Sequence, residues 1–467
     1  MSTEYMPAME KSAHLNALDL HAMVLTQRKE EIRGFCTGVH PAGVADVLQR
    51  LSSSEIWDVL QTLEADLRAE IFSHLEEHAQ VDLMLQLDRK AAAKLLSDMP
   101  PDDRADLFRR LPEDQRTGIL PAMAQAERED IRRLASYDEG TVGAVMTSDY
   151  AVLEAGMTVT EAIDQLRLAA PDRETIYYAY IVDAQRRLIG FASLRELILA
   201  LPRRRVDDIM HTDGAFARVD EDQETAARRL QKYDLIALPV VDAQDVLVGI
   251  LTHDDAFDIL AQEQQEDLEK LVAIRGTHEP GVYMKTSSWR HFRNRVLWVV
   301  ALAGVGLISG EIVQNYEELL LLYPVLAMFL PLLADAGGNT GSQSATLVIR
   351  ALALGEVRPR DVWHVIAKEA IVAAMLGSVL GSVAFLRIVI FPGNLPDGIG
   401  AMRIGSAVAL SLALQVVSAT LLGAMLPLFA SRFKLDPAVV ASPALTTAVD
   451  VTGLLIYFSC ASLLLGI

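Results

Sequence analysis

Ser442-Pro443-Ala444-Leu445-Thr446-Thr447-Ala448-Val449-Asp450-Val451-Thr452-Gly453 lies inside an apolar run over 439–467, and Asp450 carries the only formal charge in that run. Such a run is long enough to cross the hydrocarbon of a bilayer, which takes about 20 apolar residues. A carboxylate near its middle is costly unless water, a cation or a partner side chain meets it. No basic residue stands at matching depth in the neighbouring apolar runs. Asp450 is therefore read as a cation site, against the alternative of a structural carboxylate bonded to an adjacent helix.

Working outward, four more runs qualify as crossings: 296–313, 319–354, 365–390 and 404–430. Trp289, Trp298 and Trp363 stand at their ends, as in an interfacial aromatic belt. The run 319–354 could hold one helix or two, and Gly337-Gly338-Asn339-Thr340-Gly341-Ser342-Gln343 interrupts it. Basic residues decide. With the front of the chain cytoplasmic, a single crossing keeps Arg350, Arg358 and Arg360 inside, and the next two keep Arg432 and Lys434 there. The expectation is five spans with the carboxy terminus outside. The glycine-rich stretch is expected to loosen the second span and present carbonyls, amides and hydroxyls to a wet cavity; close helix packing is the other use of such glycines. Oxygen ligands without Cys or His clusters suit hard cations and disfavour zinc and copper.

Across all 467 residues the hydrophobic share is 51% and the net charge −20. Residues 293–467 hold ten basic and ten acidic residues, so the whole negative balance lies before them. An acidic front part argues against nucleic acid or anionic lipid as its partner and favours cations. Cys36 and Cys460 lie in unlike segments and suggest no disulfide framework. The amino terminus lacks a basic stretch followed by an apolar core, so no secretory signal is expected and the front part is read as cytoplasmic.

That front part carries two repeats. Leu51, Leu63, Leu75, Leu87, Met99, Leu111 and Met123 recur every twelve residues, and the pairs Val59-Leu60, Ile71-Phe72, Leu83-Met84, Leu95-Leu96, Leu107-Phe108 and Ile119-Leu120 keep the same step. Each unit has room for about two helical turns and a connection, and none buries its apolar face alone. A small solenoid of either hand, ending near Ala135, is expected as a packing scaffold. His74-Leu75-Glu76-Glu77-His78 fits a zinc-peptidase pattern but straddles a repeat junction and has no evident third ligand, so no catalytic residue is assigned and the chain is read as no enzyme.

The second repeat pairs Ile181-Val182-Asp183-Ala184 through Leu188-Ile189-Gly190-Phe191 with Val240-Val241-Asp242-Ala243 through Leu247-Val248-Gly249-Ile250. Each copy reads as helix, strand, turn, strand, helix, opened by Met146 or Met210. The duplication resembles a tandem pair of cystathionine-β-synthase (CBS) motifs. In the second copy Thr252 precedes Asp255 by three residues, a pairing that in relatives of the module holds a nucleotide ribose, so the resemblance implies ATP at CBS motif 2; the first copy has Ser193-Leu194-Arg195-Glu196 instead. An acidic helical stretch, 254–274, then leads toward the first span.

Helical repeats, tandem CBS motifs, an acidic connecting helix and five spans follow one another in that order. Together with Pro331 through Gln343 and Asp436-Pro437 through Gly453, this succession resembles the MgtE family of magnesium channels over nearly the whole chain. The resemblance implies a multidomain fold: an N-terminal extension (1–40), an α-helical repeat domain (41–136), CBS motif 1 (137–206), CBS motif 2 (207–262), an acidic connecting helix (254–292) and a five-helix α transmembrane domain (293–467). It implies a homodimer in the inner membrane, in contact with lipid, with Asp450 of both subunits at a pore on the two-fold axis. Asn339 and Thr447 would help there to hold a Mg²⁺ that keeps its water.

The resemblance also implies closure by cytosolic Mg²⁺ bound among Asp102, Asp106, Asp222, Glu224, Asp234, Asp255, Asp258, Glu263, Glu266 and Asp436. At low Mg²⁺ those carboxylates would repel one another. The function expected is Mg²⁺ import through a gated channel, the alternative being a proton-coupled divalent cation transporter.

Overall fold

Every twelfth residue being apolar has a direct outcome in the computed structural model, which describes residues 17–26, 28–170, 175–271, 286–353, 355–358, 360–392, 400–433 and 437–466. After α1 (Ala17–Leu25) and α2 (Lys29–Gly38) come α3 (Pro41–Leu48), α4 (Ser53–Leu60), α5 (Ala65–Ser73), α6 (Glu77–Gln86), α7 (Arg89–Asp98), α8 (Pro101–Arg110), α9 (Glu113–Ile119) and α10 (Gln125–Leu134). Each helix from α3 to α7 packs on the one two places further along. Their paired apolar residues, from Val59 and Leu60 to Leu107 and Phe108, form one continuous core. Starts are written locally: Asp88 accepts from the amides of Lys90 and Ala91, Ser52 and Glu55 form a capping box, and Pro101 opens α8. Arg68 pairs with Asp98 and Arg104 with Asp130, both at 3.1 Å, stapling helices about thirty residues apart.

Arg109 carries the solenoid into the next module by donating to the carbonyls of Leu134 (3.3 Å) and Ala144 (2.9 Å). There α11 (Val142–Val145) leads to β1 (Tyr150–Glu154), α12 (Val159–Ala169), β2 (Thr175–Val182), β3 (Leu188–Ser193) and α13 (Leu194–Leu199). The second copy repeats the plan with β4 (Ala217–Arg218), α14 (Gln223–Lys232), β5 (Ala237–Val241), β6 (Leu247–Thr252) and α15 (His253–Leu271). Each copy is a three-stranded sheet in which the first pair of strands is parallel and the second antiparallel. The leading strands β1 and β4 are additions to the helix, strand, turn, strand, helix plan. Tyr150 and Tyr180 reach from the first copy to the carbonyls of Leu247 and Ala237 in the second, so the two sheets share one core.

The chain divides into two units, Met1–Glu263 and Gln264–Ile467, and α15 runs across the boundary. The acidic stretch is helical to Leu271; residues 272–285 lie outside the described residues, so the expected single helix over 254–292 is described only in part.

In the second unit come α16 (Ser288–Asn315), α17 (Glu317–Leu322), α18 (Pro324–Ala327), α19 (Leu330–Ala353), α20 (Val362–Ile390), α21 (Ala401–Arg432) and α22 (Pro437–Leu465). Among the described residues four helices are long and apolar enough to cross a membrane: Ser288–Asn315, Val362–Ile390, Ala401–Arg432 and Leu445–Leu465. The fifth expected span, 319–354, is not one helix. It breaks between Tyr323 and Phe329, where Pro324 starts a new helix. The hydroxyl of buried Tyr457 donates to the carbonyl of Leu326 at 2.9 Å, a second bond to an oxygen that also accepts from the Phe329 amide at 3.1 Å.

Candidate functional site

Small residues bring three helices of the second unit together. The expectation that Gly337 through Gln343 unwinds its span is overturned, because α19 runs unbroken through it. Its glycines serve close approach instead. A methyl group at Gly341 would stand 3.1 Å from the Ala419 carbonyl, and one at Gly423 would stand 2.2 Å from the Gly341 carbonyl. Backbone therefore packs on backbone between α19 and α21, an arrangement with no room for Cβ atoms. Ala345, Ala419, Leu445 and Val449 fill the contact where α22 joins them.

Asp450 follows buried Val449 on α22 and is itself only partly buried. Asn339 is exposed on α19 and donates one amide hydrogen to Asp335 at 3.0 Å. Thr447 is partly buried one turn before Asp450. Two polar groups escaped the sequence reading. Glu369 on α20 accepts from the buried Ser344 hydroxyl at 2.8 Å. Gln415, 1% exposed on α21, donates to the carbonyl of Val449 at 3.0 Å. A carboxylate and an amide inside apolar helices were visible as residues; their partners, 25 and 34 positions away, were not.

The acidic residues of the first unit lie on several elements. Asp102 and Asp106 are on α8, where Asp106 pairs with Arg109. Asp222 caps α14 by accepting from the amide and hydroxyl of Thr225, both at 2.9 Å. Glu224 pairs with Arg228 one turn on. Asp234 has a φ of 50° just after α14, a conformation that Asp tolerates better than most residues. On α15, Asp255 accepts from the Thr252 hydroxyl, Asp258 is exposed, Glu263 accepts from Gln223 at 2.8 Å and Glu266 pairs with Lys270 at 2.9 Å. Asp436 lies outside the described residues. Among the described residues no three His, Cys, Asp or Glu side chains converge as a metal site.

Electrostatics single out a narrower face. Burial pushes the carboxyls of Asp103 and Asp106 above the usual range; the neighbouring charges of Asp106 and Asp254 push Asp103 the same way, while the Asp106 carboxyl is partly held down by Arg109 and Arg110. Asp258, though its side chain reaches the surface, is raised by partial desolvation of its carboxyl and by the charge of Asp254. His74 opposes the rise at both Asp103 and Asp258, so α8 and the start of α15 sense one another's charge. Asp103 and Asp254 were not among the expected ligands. Choosing between Asp102 and Asp103 takes the rotation of a helix within its domain, which spacing alone does not supply.

The Thr252–Asp255 bond lies across the start of α15, and at the same point of the first copy Ser193 and Glu196 form a capping box. The pattern thus has a local structural use in both copies. His74 and His78 fall on opposite sides of a helix junction: His74 ends α5 and His78 sits in α6, paired with Glu76 at 3.3 Å.

Comparison with known proteins agrees with this architecture. Residues 330–460 match the family described as a divalent cation transporter, 39–140 match the MgtE intracellular N domain, and 142–203 and 206–262 match CBS domains. The magnesium transporter MgtE of Thermus thermophilus is 44% identical over 72% of this chain and 73% of its own length. That of Bacillus subtilis is 33% identical over 73% of this chain and 74% of its own. The crystal structure of the soluble part of a magnesium transporter matches 55% of this chain and 99% of its own, at 30% identity and a TM-score of 0.51. The chain belongs to the MgtE family of magnesium transporters.

Proposed function

We propose that this protein is a Mg²⁺-selective channel that imports magnesium across the cell membrane and closes when cytosolic Mg²⁺ binds between its acidic domains. The observation that carries the reading is Asp450, a partly exposed carboxylate on an apolar helix of a chain 44% identical to a named magnesium transporter. Mg²⁺ sheds its water reluctantly, so two carboxylates related by a dimer axis would hold the hydrated ion through its water and release it again. Asn339 and Thr447 offer amide and hydroxyl groups to that water shell.

Five crossings fit the charge pattern. At 24 residues α19 is about 36 Å long, enough for a hydrocarbon core of about 30 Å, although Asp335 and Arg350 lower its apolar character. This count puts the acidic domains inside and the carboxy terminus outside. Gating is supported by the raised carboxyls of Asp103, Asp106 and Asp258. Burial and mutual repulsion make the packed arrangement of those groups unfavourable when all are charged, and a bound divalent cation offsets that. Within the expected ligand set, Asp255, Asp258, Glu263 and Glu266 share α15, and Asp102 and Asp106 share α8. ATP is proposed at CBS motif 2 by way of Thr252 and Asp255, which would exchange their present bond for a ribose.

Flux into liposomes containing the purified dimer tests the channel reading against a proton-coupled carrier. Mg²⁺ uptake that follows an imposed membrane potential and ignores an imposed pH gradient is the expected result. Uptake driven by the pH gradient at zero potential would establish the carrier instead.

A further inference from the structure

Gln415 occupies a slot that two glycines create. A Cβ at Gly337 on α19 would lie 2.3 Å from its Nε2; one at Gly453 on α22 would lie 2.3 Å from Nε2, 2.5 Å from Cδ and 2.8 Å from Oε1. The amide is therefore wedged between the helix carrying Asn339 and the helix carrying Asp450, with no space for any larger residue at either point of contact. Its Nε2 donates to the Val449 carbonyl at 3.0 Å, and Val449 immediately precedes Asp450. The Thr452 hydroxyl approaches the same carbonyl at 3.3 Å.

Oε1 is buried and meets no donor among the described residues. Reversing the amide would set two oxygens against each other at the Val449 carbonyl, so the orientation is fixed by that contact even though the oxygen gains nothing from it. Packing alone would be served better by an apolar side chain of the same volume, since a buried unmet acceptor costs about 1–3 kcal/mol. The donor end is what an apolar residue cannot replace.

We infer that Gln415 is a positioning residue for the ion site: its amide holds the Val449 carbonyl and thereby sets the rotation and height of Asp450 relative to α21, against which α19 packs at Gly337. The inference rests on the reading of Asp450 as the ion site. One contact fixes α22 against α21 at the level of the carboxylate, while Gly337 of α19 and Gly453 of α22 give the amide its place. Removing the donor frees α22 to turn slightly about its axis, and the carboxylate is displaced from the hydrated ion without loss of the helix packing.

The experiment compares wild type, Asp450→Ala, Gln415→Met and Gln415→Leu as full-length dimers in liposomes, measuring half-saturating Mg²⁺ and maximal flux, with thermal unfolding of the same preparations. Gln415→Met keeps the volume and loses the donor. It should raise half-saturating Mg²⁺ roughly three- to tenfold, the range that one hydrogen bond is worth, with unfolding temperature unchanged or higher. Gln415→Leu should act in the same direction and serves if the Met variant does not assemble. Wild-type half-saturation and flux in both variants, or flux falling only in step with lost stability, would overturn the positioning role. If wild type conducts no Mg²⁺, or conducts as well with Asp450→Ala, the ion-site reading fails and the inference with it, a result distinct from a silent Gln415.

Discussion

His211 of the second CBS copy pairs with Glu196 of the first, its Nε2 2.6 Å from Oε1, and the same carboxylate caps α13 through Ser193. Burial works to raise the Glu196 carboxyl, but the bonds from His211 and Ser193 outweigh it and bring it down to about 2. His211 is raised above its ordinary value chiefly by its hydrogen bond to Glu196. The signs define a window. The His211 contribution is fully present below its unfolded value, about 6.5, and is lost as pH rises through the higher folded value. The Glu196 contribution is present above its unfolded value and is lost as pH falls through about 2. His211→Gln should therefore lower the unfolding temperature of the CBS modules at pH 5–6 and converge on wild type in alkaline solution, measured by thermal unfolding across pH. The exposure of both side chains keeps the difference small. A constant difference at every pH would show that the pair's charge contributes nothing.

At the scale of elements, the solenoid was legible because its core repeats with the chain: Val59, Ile71, Leu83, Leu95 and Leu107 each mark one helix of the stack. The CBS duplication was legible because Gly190 and Gly249 sit at equal points of β3 and β6, whereas β4, two residues long, left too little pattern to detect. Pro324 stands in the sequence at the helix break near Tyr323 but was not read as one, because the glycines of α19 drew attention to the wrong place. Glycine permits both unwinding and close packing, and only the partner backbone at Ala419 and Gly423 decides between them. Gln415 could not be read at all, since its meaning depends on Gly337 and Gly453 on two other helices. The acids of α15 were legible as a set. Neutralising Asp255, Asp258, Glu263 and Glu266 together to Asn and Gln should leave conduction intact and raise the internal Mg²⁺ needed for half-inhibition on the order of tenfold, the size of a typical coupling between sites. Inhibition curves from excised patches check this, and an unshifted curve would mean that those carboxylates serve only their local bonds.

For the whole molecule, charge and hydropathy are segregated along the chain. All of the −20 balance precedes residue 293, and the helices from Ser288 onward include four apolar enough to cross a bilayer. In the proposed reading that division would put the cation-responsive carboxylates on one unit and the cation path on the other, as closure by the transported ion requires. Only Asp450 offers a charge inside the last span, so the account depends on it more than on any regulatory residue. The most direct measurement is Mg²⁺ uptake under a membrane potential by liposomes holding equal amounts of wild-type and Asp450→Asn protein with matched thermal stability. The account predicts uptake by wild type and a loss on the order of tenfold or more in Asp450→Asn, since the amide keeps the size of the side chain and removes the charge that attracts a hydrated divalent ion. Equal uptake by the two proteins would contradict it.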